Sequence, residues 1–136
     1  MDTVQEIIET CKTVAVVGLS PRPNRDSYAV AQYLQSQGYR IIPVNPSVEE
    51  VLGEKSYPDL KSIPEPVDVV DVFRRPEEVL SLVEQAVQIG ARAVWMQIGV
   101  VNQEAAALAR AAGLMVVMDM CLECEVRKWK QSGKDC

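Results

Sequence analysis

Histidine is absent from the chain, which excludes serine-type triads, phosphohistidine transfer and His-ligated metal sites. Aromatic residues are scarce, with a single phenylalanine, and basic residues are the minority: 14 Lys+Arg against 19 Asp+Glu, a formal charge of −5. A protein of this sign lacks the basic stripe of a nucleic-acid binder, so an anionic partner must be held by local positive charge. No apolar run approaches the roughly 18 residues of a membrane span; the longest are short pieces such as 14–19 and 114–118. Residues 1–10 carry acids and no Lys or Arg, unlike a secretory signal, so a soluble, cytoplasmic protein is expected. Cysteine is sparse: Cys11, Cys121, Cys124 and Cys136 read as intracellular thiols ahead of a disulfide framework.

What is present is an ordinary globular composition, 48% hydrophobic over 136 residues, enough for one domain. Short β-branched runs alternate with segments of helical period, the pattern of an α/β fold. Thr3 to Cys11 suits a short amphipathic helix. Val14 to Val17 is a continuous apolar run, expected of a central parallel strand buried on both faces. Asp26 or Ser27 is placed to cap the next helix, and Gly38 to stop it. Ile41 to Val44 reads as strand two, although Pro43 removes one ladder donor. The segment 45–66 is rich in proline and is expected to be irregular, with one or two helical turns, Glu49 and Glu50 opening one of them. Strand three is read at 67–73, strand four at 93–98 and strand five at 114–118. Pro76 opens one intervening helix and Asn102 caps the other. Together these predict a three-layer, doubly wound (Rossmann-like) parallel sheet of about five strands, order 3-2-1-4-5, with helices on both faces. The core spans about 12–121, followed by a polar, basic tail over 126–136.

Ligands of such sheets bind outside the carboxyl ends of the strands, which directs attention to four loops. After strand one, Gly18 leaves room for a turn, and Arg22 and Arg25 lie before the helix that begins near Ser27, a place suited to phosphate. After strand two comes Asn45-Pro46, where an NAD site usually has an acid. After strand three, Phe73-Arg74-Arg75 offers a ring and two guanidinium forks; neighbouring residues point to opposite faces, so one arginine is expected in the cleft and the other paired with surface acids. After strand four, Gln97 interrupts an apolar run and needs a partner, either backbone or ligand.

Val14 to Pro21, Ser27-Tyr28, Ile41 to Pro46, Val69 to Pro76, Trp95 to Val100 and Met118-Asp119 together resemble the small stand-alone CoA-binding proteins, which are similar to the N-terminal CoA-binding domain of the succinyl-CoA synthetase alpha subunit. The likeness runs from about Lys12 to Cys121. It implies a Rossmann-like domain holding CoA or an acyl-CoA, with the synthetase phosphate loop falling on Ser20, Pro21, Arg22 and Pro23 and the strand-four contacts on Met96, Gln97 and Ile98. Two positions depart from the family pattern. The basic residue that the family places after the Asn-Pro pair is Ser47 here, so one phosphate contact is either missing or supplied by Arg40, Lys55 or Arg22, and the basic residue before Cys121 is replaced by Met120. No acid/base pair stands out and the synthetases' phosphohistidine has no counterpart, so a binding, carrier or regulatory role is favoured over catalysis. Alternatives from other classes are thiol-redox or CoA mixed-disulfide chemistry at Cys121/Cys124, an NAD or other nucleotide-binding regulatory domain, and docking of a protein partner on Arg127, Lys128, Trp129 and Lys130. Cys136 is a third thiol for an otherwise incomplete C-x-x-C metal site.

Overall fold

The computed structural model describes residues 2–132, so Cys136 and the end of the basic segment lie outside the described residues. The elements run α1 (Thr3–Thr10), β1 (Thr13–Val17), α2 (Asp26–Ser36), β2 (Arg40–Val44), β3 (Glu50–Val51), β4 (Glu54–Lys55), β5 (Val69–Val72), α3 (Val79–Gln88), β6 (Ala93–Met96), α4 (Gln103–Ala111), β7 (Met115–Val117) and α5 (Leu122–Gln131). Short 3-10 turns lie at Leu60–Ser62 and Pro76–Glu78. β1, β2, β5, β6 and β7 form one parallel sheet.

Period-two alternation divides the core. Val14 and Val16 face a layer containing Ile7 and Ile8 of α1, Val30, Ala31 and Leu34 of α2, and Leu122 and Val126 of α5. Ala15 and Val17 face the opposite layer, with Val79, Val83 and Ala86 of α3 and Ala105, Ala106 and Ala109 of α4. Both sides of each central strand are thereby covered, as their unbroken apolar runs require. The expected three-layer sheet of five strands with helices on both faces is the fold observed.

The strand order differs from expectation. It is β2-β1-β5-β6-β7, so the third long strand lies beside the first, giving 2-1-3-4-5 in place of 3-2-1-4-5. Proline explains why. The carbonyl of Pro43 points to the outer side of β2, where it accepts from Tyr57 N–H at 3.0 Å, and on that side proline has no N–H to offer a full neighbouring strand. β2 is therefore an edge, covered by the single bridge Val44–Tyr57. The chain crosses back over β1 through 45–68, with Leu60 buried against the α3 layer. The expected helical turn at Glu49-Glu50 is a hairpin, β3 pairing antiparallel with β4. Its two turn residues, Leu52 and Gly53, both have positive φ, 54° and 78°, the backbone of the tight turns that join antiparallel strands. The segment 126–131, expected as tail, is the last part of α5. Val126 is buried, and Trp129 packs on the same core layer.

Candidate functional site

The order 2-1-3-4-5 places the reversal of winding between β1 and β5, so the crevice opens between the loops that follow those two strands. Gly18 sits at its floor. Its N–H donates to Val44 O at 2.9 Å while Phe73 N–H donates to Val17 O at 2.9 Å, and a Cβ on Gly18 would collide with the Phe73 carbonyl. With φ at +88°, the position suits glycine on two counts.

The loop beyond is shaped by its own polar groups. Ser20 N–H donates to Ser27 Oγ at 3.0 Å, and Ser20 Oγ accepts from Arg22 N–H at 3.1 Å. Neither Asp26 nor Ser27 caps α2: the N-cap is Arg25, in extended conformation and without a side-chain cap bond. The hydroxyl of Ser27 is committed to the loop, which leaves the first N–H groups of α2 open toward the crevice. Arg22 and Arg25 are exposed and make no ion pair among the described residues. Pro21 and Pro23, both exposed, flank Arg22 and stiffen the turn.

A cavity of about 870 Å³ extends from the first turns of α2 across the sheet ends, lined by Asp26, Phe73, Arg74, Arg75, Gln97, Ile98, Cys121 and Cys124 among others. A smaller one of about 380 Å³ takes in Gly18, Ser20, Arg25 and Ser27 and shares Asp26 and Phe73 with the first. The two adjoin at Asp26 and Phe73, and the larger is of cofactor dimensions. Arg75 is tied to Glu78 at 3.2 Å, whereas Arg74 is half-buried, passes close over Gly18 and makes no ion pair among the described residues. Both arginines line the main cavity, against the expectation that only one would, and they differ in pairing: Arg75 is held by Glu78, while Arg74 is free to meet a ligand. The acids at the crevice are partly neutralised: Glu78 by Arg75 and Glu123 by Arg127 at 2.8 Å. Asp26 is left with Arg25 in the smaller cavity and Arg74 in the larger, which makes the local charge positive; Arg22 lines neither cavity.

Other candidates are placed elsewhere. The Asn45 amide donates to Leu19 O at 3.0 Å and accepts from Ser47 N–H at 2.9 Å, so it clamps the loop after β1 from behind. Pro46 borders a separate hollow of about 280 Å³ that shares Arg74 with the main cavity. Met96 is fully buried in the core; only its carbonyl reaches the site, accepting from Met120 N–H at 3.3 Å. Arg40 lies at the amino end of β2, bound to Glu65 and Glu54 at 2.7 and 2.8 Å, and does not replace the cation missing at Ser47. Lys55 stands over the Tyr57 ring at 5.3 Å. Ile98 is 70% exposed at the crevice lip, an apolar surface available to a ligand.

The Gln97 side chain, which also lines the main cavity, has a partner that sequence reasoning did not name, Asp71, to which Nε2 donates at 2.5 Å. Asp71 is fully buried on β5, and its Oδ2 has no partner among the described residues. Sequence reasoning passed over this acid, although a lone aspartate within Val69–Val72 was the available signal. Burial pushes its carboxyl up to about 7, only partly opposed by the Gln97 hydrogen bond. Because the folded state holds the proton more tightly, the stabilising contribution is complete below about pH 4 and is lost as pH rises through about 7. Asp71→Asn is expected to flatten that decline, about 1.4 kcal/mol per pH unit at its steepest, and to raise stability at pH 8 by about 2 kcal/mol. Urea titrations at pH 5 and pH 8 check this; an unchanged pH dependence would show that Asp71 is ionised throughout.

Cys121 and Cys124, read from the sequence as thiols, are joined as a disulfide with Cα atoms 5.2 Å apart. Cys121 is the N-cap of α5, so the pair does lie at a helix N-terminus. Cys11 is buried beneath α1, and desolvation pushes its thiol up, which makes it unreactive. The basic cluster is largely paired within the fold: Arg127 with Glu123 and the Tyr33 ring, Lys128 with Glu125 at 3.3 Å. No helix among the described residues is long and apolar enough to cross a membrane, and no cluster of potential metal ligands occurs among them.

Residues 12–127 match the CoA binding domain family. The chain belongs to that family. It is 43% identical over 120 residues to the uncharacterized protein YneT of Bacillus subtilis, covering 88% of this chain and 89% of YneT. A solved structure of a hypothetical protein from Pyrococcus horikoshii is 42% identical and superimposes with a TM-score of 0.90, covering 94% of this chain and 92% of that one. The ADP-forming acetate–CoA ligase II of Archaeoglobus fulgidus is 30% identical over 81 residues, which are 58% of this chain and 12% of the ligase. The domain therefore matches a small part of that ligase. Membership of the family suggests CoA as the ligand.

Proposed function

We propose that this CoA binding domain holds coenzyme A or an acyl-CoA across the carboxyl ends of the sheet, as a binding, carrier or regulatory protein. The observation that carries the reading is the crevice at the β1/β5 reversal, where the uncapped N-terminus of α2 meets Arg25 and Arg74, two arginines with no ion-pair partner among the described residues, while exposed Arg22 stands on the adjoining loop outside the cavity lining. CoA brings about four negative charges on its diphosphate and 3′-phosphate. A protein of charge −5 repels it at long range, but within a Debye length of about 8 Å these local cations reverse the sign. The phosphates are assigned to the loop after β1, and the exposed Ile98 and the Phe73 ring offer apolar surface for the pantetheine arm or the adenine. Asn45 at the end of β2 is not the acid that favours the NAD ribose, which supports CoA over NAD.

Calorimetric titration of the reduced protein with CoA, beside NAD and ATP, tests this. Saturable 1:1 binding of CoA, at least about tenfold tighter than either control, is expected. Equal or tighter binding of NAD would replace the reading with that of a dinucleotide-binding regulatory domain.

A further inference from the structure

Cys121 and Cys124 line the same cavity as Arg75, Gln97 and Ile98, and neither has a part in holding phosphate. We propose that this pair is a dithiol/disulfide couple that exchanges with the thiol of the bound ligand, forming a protein–CoA mixed disulfide at Cys124; the inference rests on the CoA reading above.

Three features build the site. First, the segment before the pair is pinned to the carboxyl end of β6. Trp95 Nε1 donates to Met120 O at 2.9 Å, Met120 N–H to Met96 O at 3.3 Å, and Gly99 N–H to Asp119 Oδ1 at 2.7 Å. Asp119 takes a left-handed backbone, φ 58°, to make that contact. The sulfurs are thus held at the strand ends with Gln97 and Ile98. Second, the two sulfurs are inequivalent. Cys124 is exposed and Cys121 half-buried, and Cys121 Sγ is the N-cap atom of the ten-residue helix α5, accepting Cys124 N–H at 3.1 Å. Negative charge released on Cys121 is met by a backbone donor and the positive end of the helix dipole. Third, the exposed sulfur shares its cavity with exposed Ile98, an apolar contact for an arm that ends in a thiol.

The step balances without an external oxidant. The ligand thiol gives its proton to solvent, and the resulting thiolate attacks Cys124 Sγ. The ligand S–Sγ bond forms as the Cys121–Cys124 bond breaks, and the electron pair leaves on Cys121, the better-stabilised thiolate, which takes a proton from solvent. One disulfide is consumed and one is formed. In reverse, the Cys121 thiolate attacks Cys124 Sγ and expels the ligand thiolate.

Two arms test the exchange. Oxidised wild-type protein is mixed with CoA, quenched by alkylation and peptide-mapped: one CoA on Cys124 with alkylated Cys121 is expected. The reduced C121S variant, which lacks the resolving thiol, is mixed with CoA disulfide or with glutathione disulfide at equal concentration. The CoA adduct on Cys124 is expected to form at a rate that saturates with CoA disulfide and is at least about tenfold faster than the glutathione adduct, because binding pre-positions the sulfur. The calorimetry of reduced wild-type protein separates the two readings. CoA bound with no adduct, or with equal rates for both disulfides, overturns the exchange and leaves the binding site standing. No binding heat together with no CoA preference overturns both.

Discussion

Gly18→Val is expected to remove about 3–5 kcal/mol of stability and CoA binding with it. Two costs fall on one atom. The backbone there has φ +88°, where a β-branched residue is strained, and the new Cβ would sit against the Phe73 carbonyl. That carbonyl belongs to the backbone at the end of β5, so relief requires the β1 and β5 loops to separate. Such a shift would loosen Phe73 N–H from Val17 O and Gly18 N–H from Val44 O, and would open the crevice floor on which Arg74 rests. A fall in Tm of about 10 °C or more is expected for this size of domain. Gly53→Ala is the matched control. Its φ is +78° and no atom lies within 4 Å of the place a Cβ would occupy, so it carries backbone strain alone, and about 1 kcal/mol is expected. Equal losses at the two positions would mean that close approach at Gly18 contributes nothing.

Reversing Arg22 and Arg25 to glutamate together should weaken CoA about a thousandfold near physiological salt, roughly 4 kcal/mol, while leaving stability within about 0.5 kcal/mol. Stability is spared because both side chains are exposed and make no ion pair among the described residues. Binding suffers because two charge-assisted contacts are lost and two negative charges are set before the α2 N-terminus, already shared with Asp26. Wild-type affinity should also fall as salt rises, and fall less steeply in the variant. Titration of both proteins across a salt series checks the pair of expectations. Unaltered CoA affinity would exclude the loop after β1 as the phosphate site.

Much of this was legible locally. The run Val14–Val17 and the apolar residues around Asp71 announced strands buried on both faces, Asn102 marked the start of α4, and Gly18 with its following arginines marked a phosphate-sized turn. These are properties of period, capping and backbone freedom, which act within a few residues. Pro43 carried longer-range information as well: a missing N–H on β2 required an edge, yet its consequence for strand order emerges only when the third strand is sought beside β1. Alternation along the strand predicted that only one of Arg74 and Arg75 would face the cleft; both line it, because the chain turns after β5, and Glu78 on the next turn pairs with Arg75.

The remainder was decided by tertiary contact. Asp71 and Gln97 are 26 residues apart and become partners because β5 and β6 pair in register, Val72 beside Met96. Nothing local to either residue says so. Asn45, which a linear reading offered to a ligand, is turned by Leu19 O and Ser47 N–H into a loop clamp. The final segment reads as a polar basic tail because its surface residues outnumber its anchors, but Val126 and Trp129 have a core layer to enter between α1 and α2, and that burial makes it a helix. The C-x-x-C spacing was plain in the chain. Its place at a helix N-terminus, facing the cavity, depends on Asp119, Met120 and Trp95 holding the preceding turn. Composition and pattern determined the fold class and family of this protein; the neighbours that each polar group meets across the sheet decided its site, because hydrogen bonds and charges act over a few ångströms in space regardless of separation along the chain.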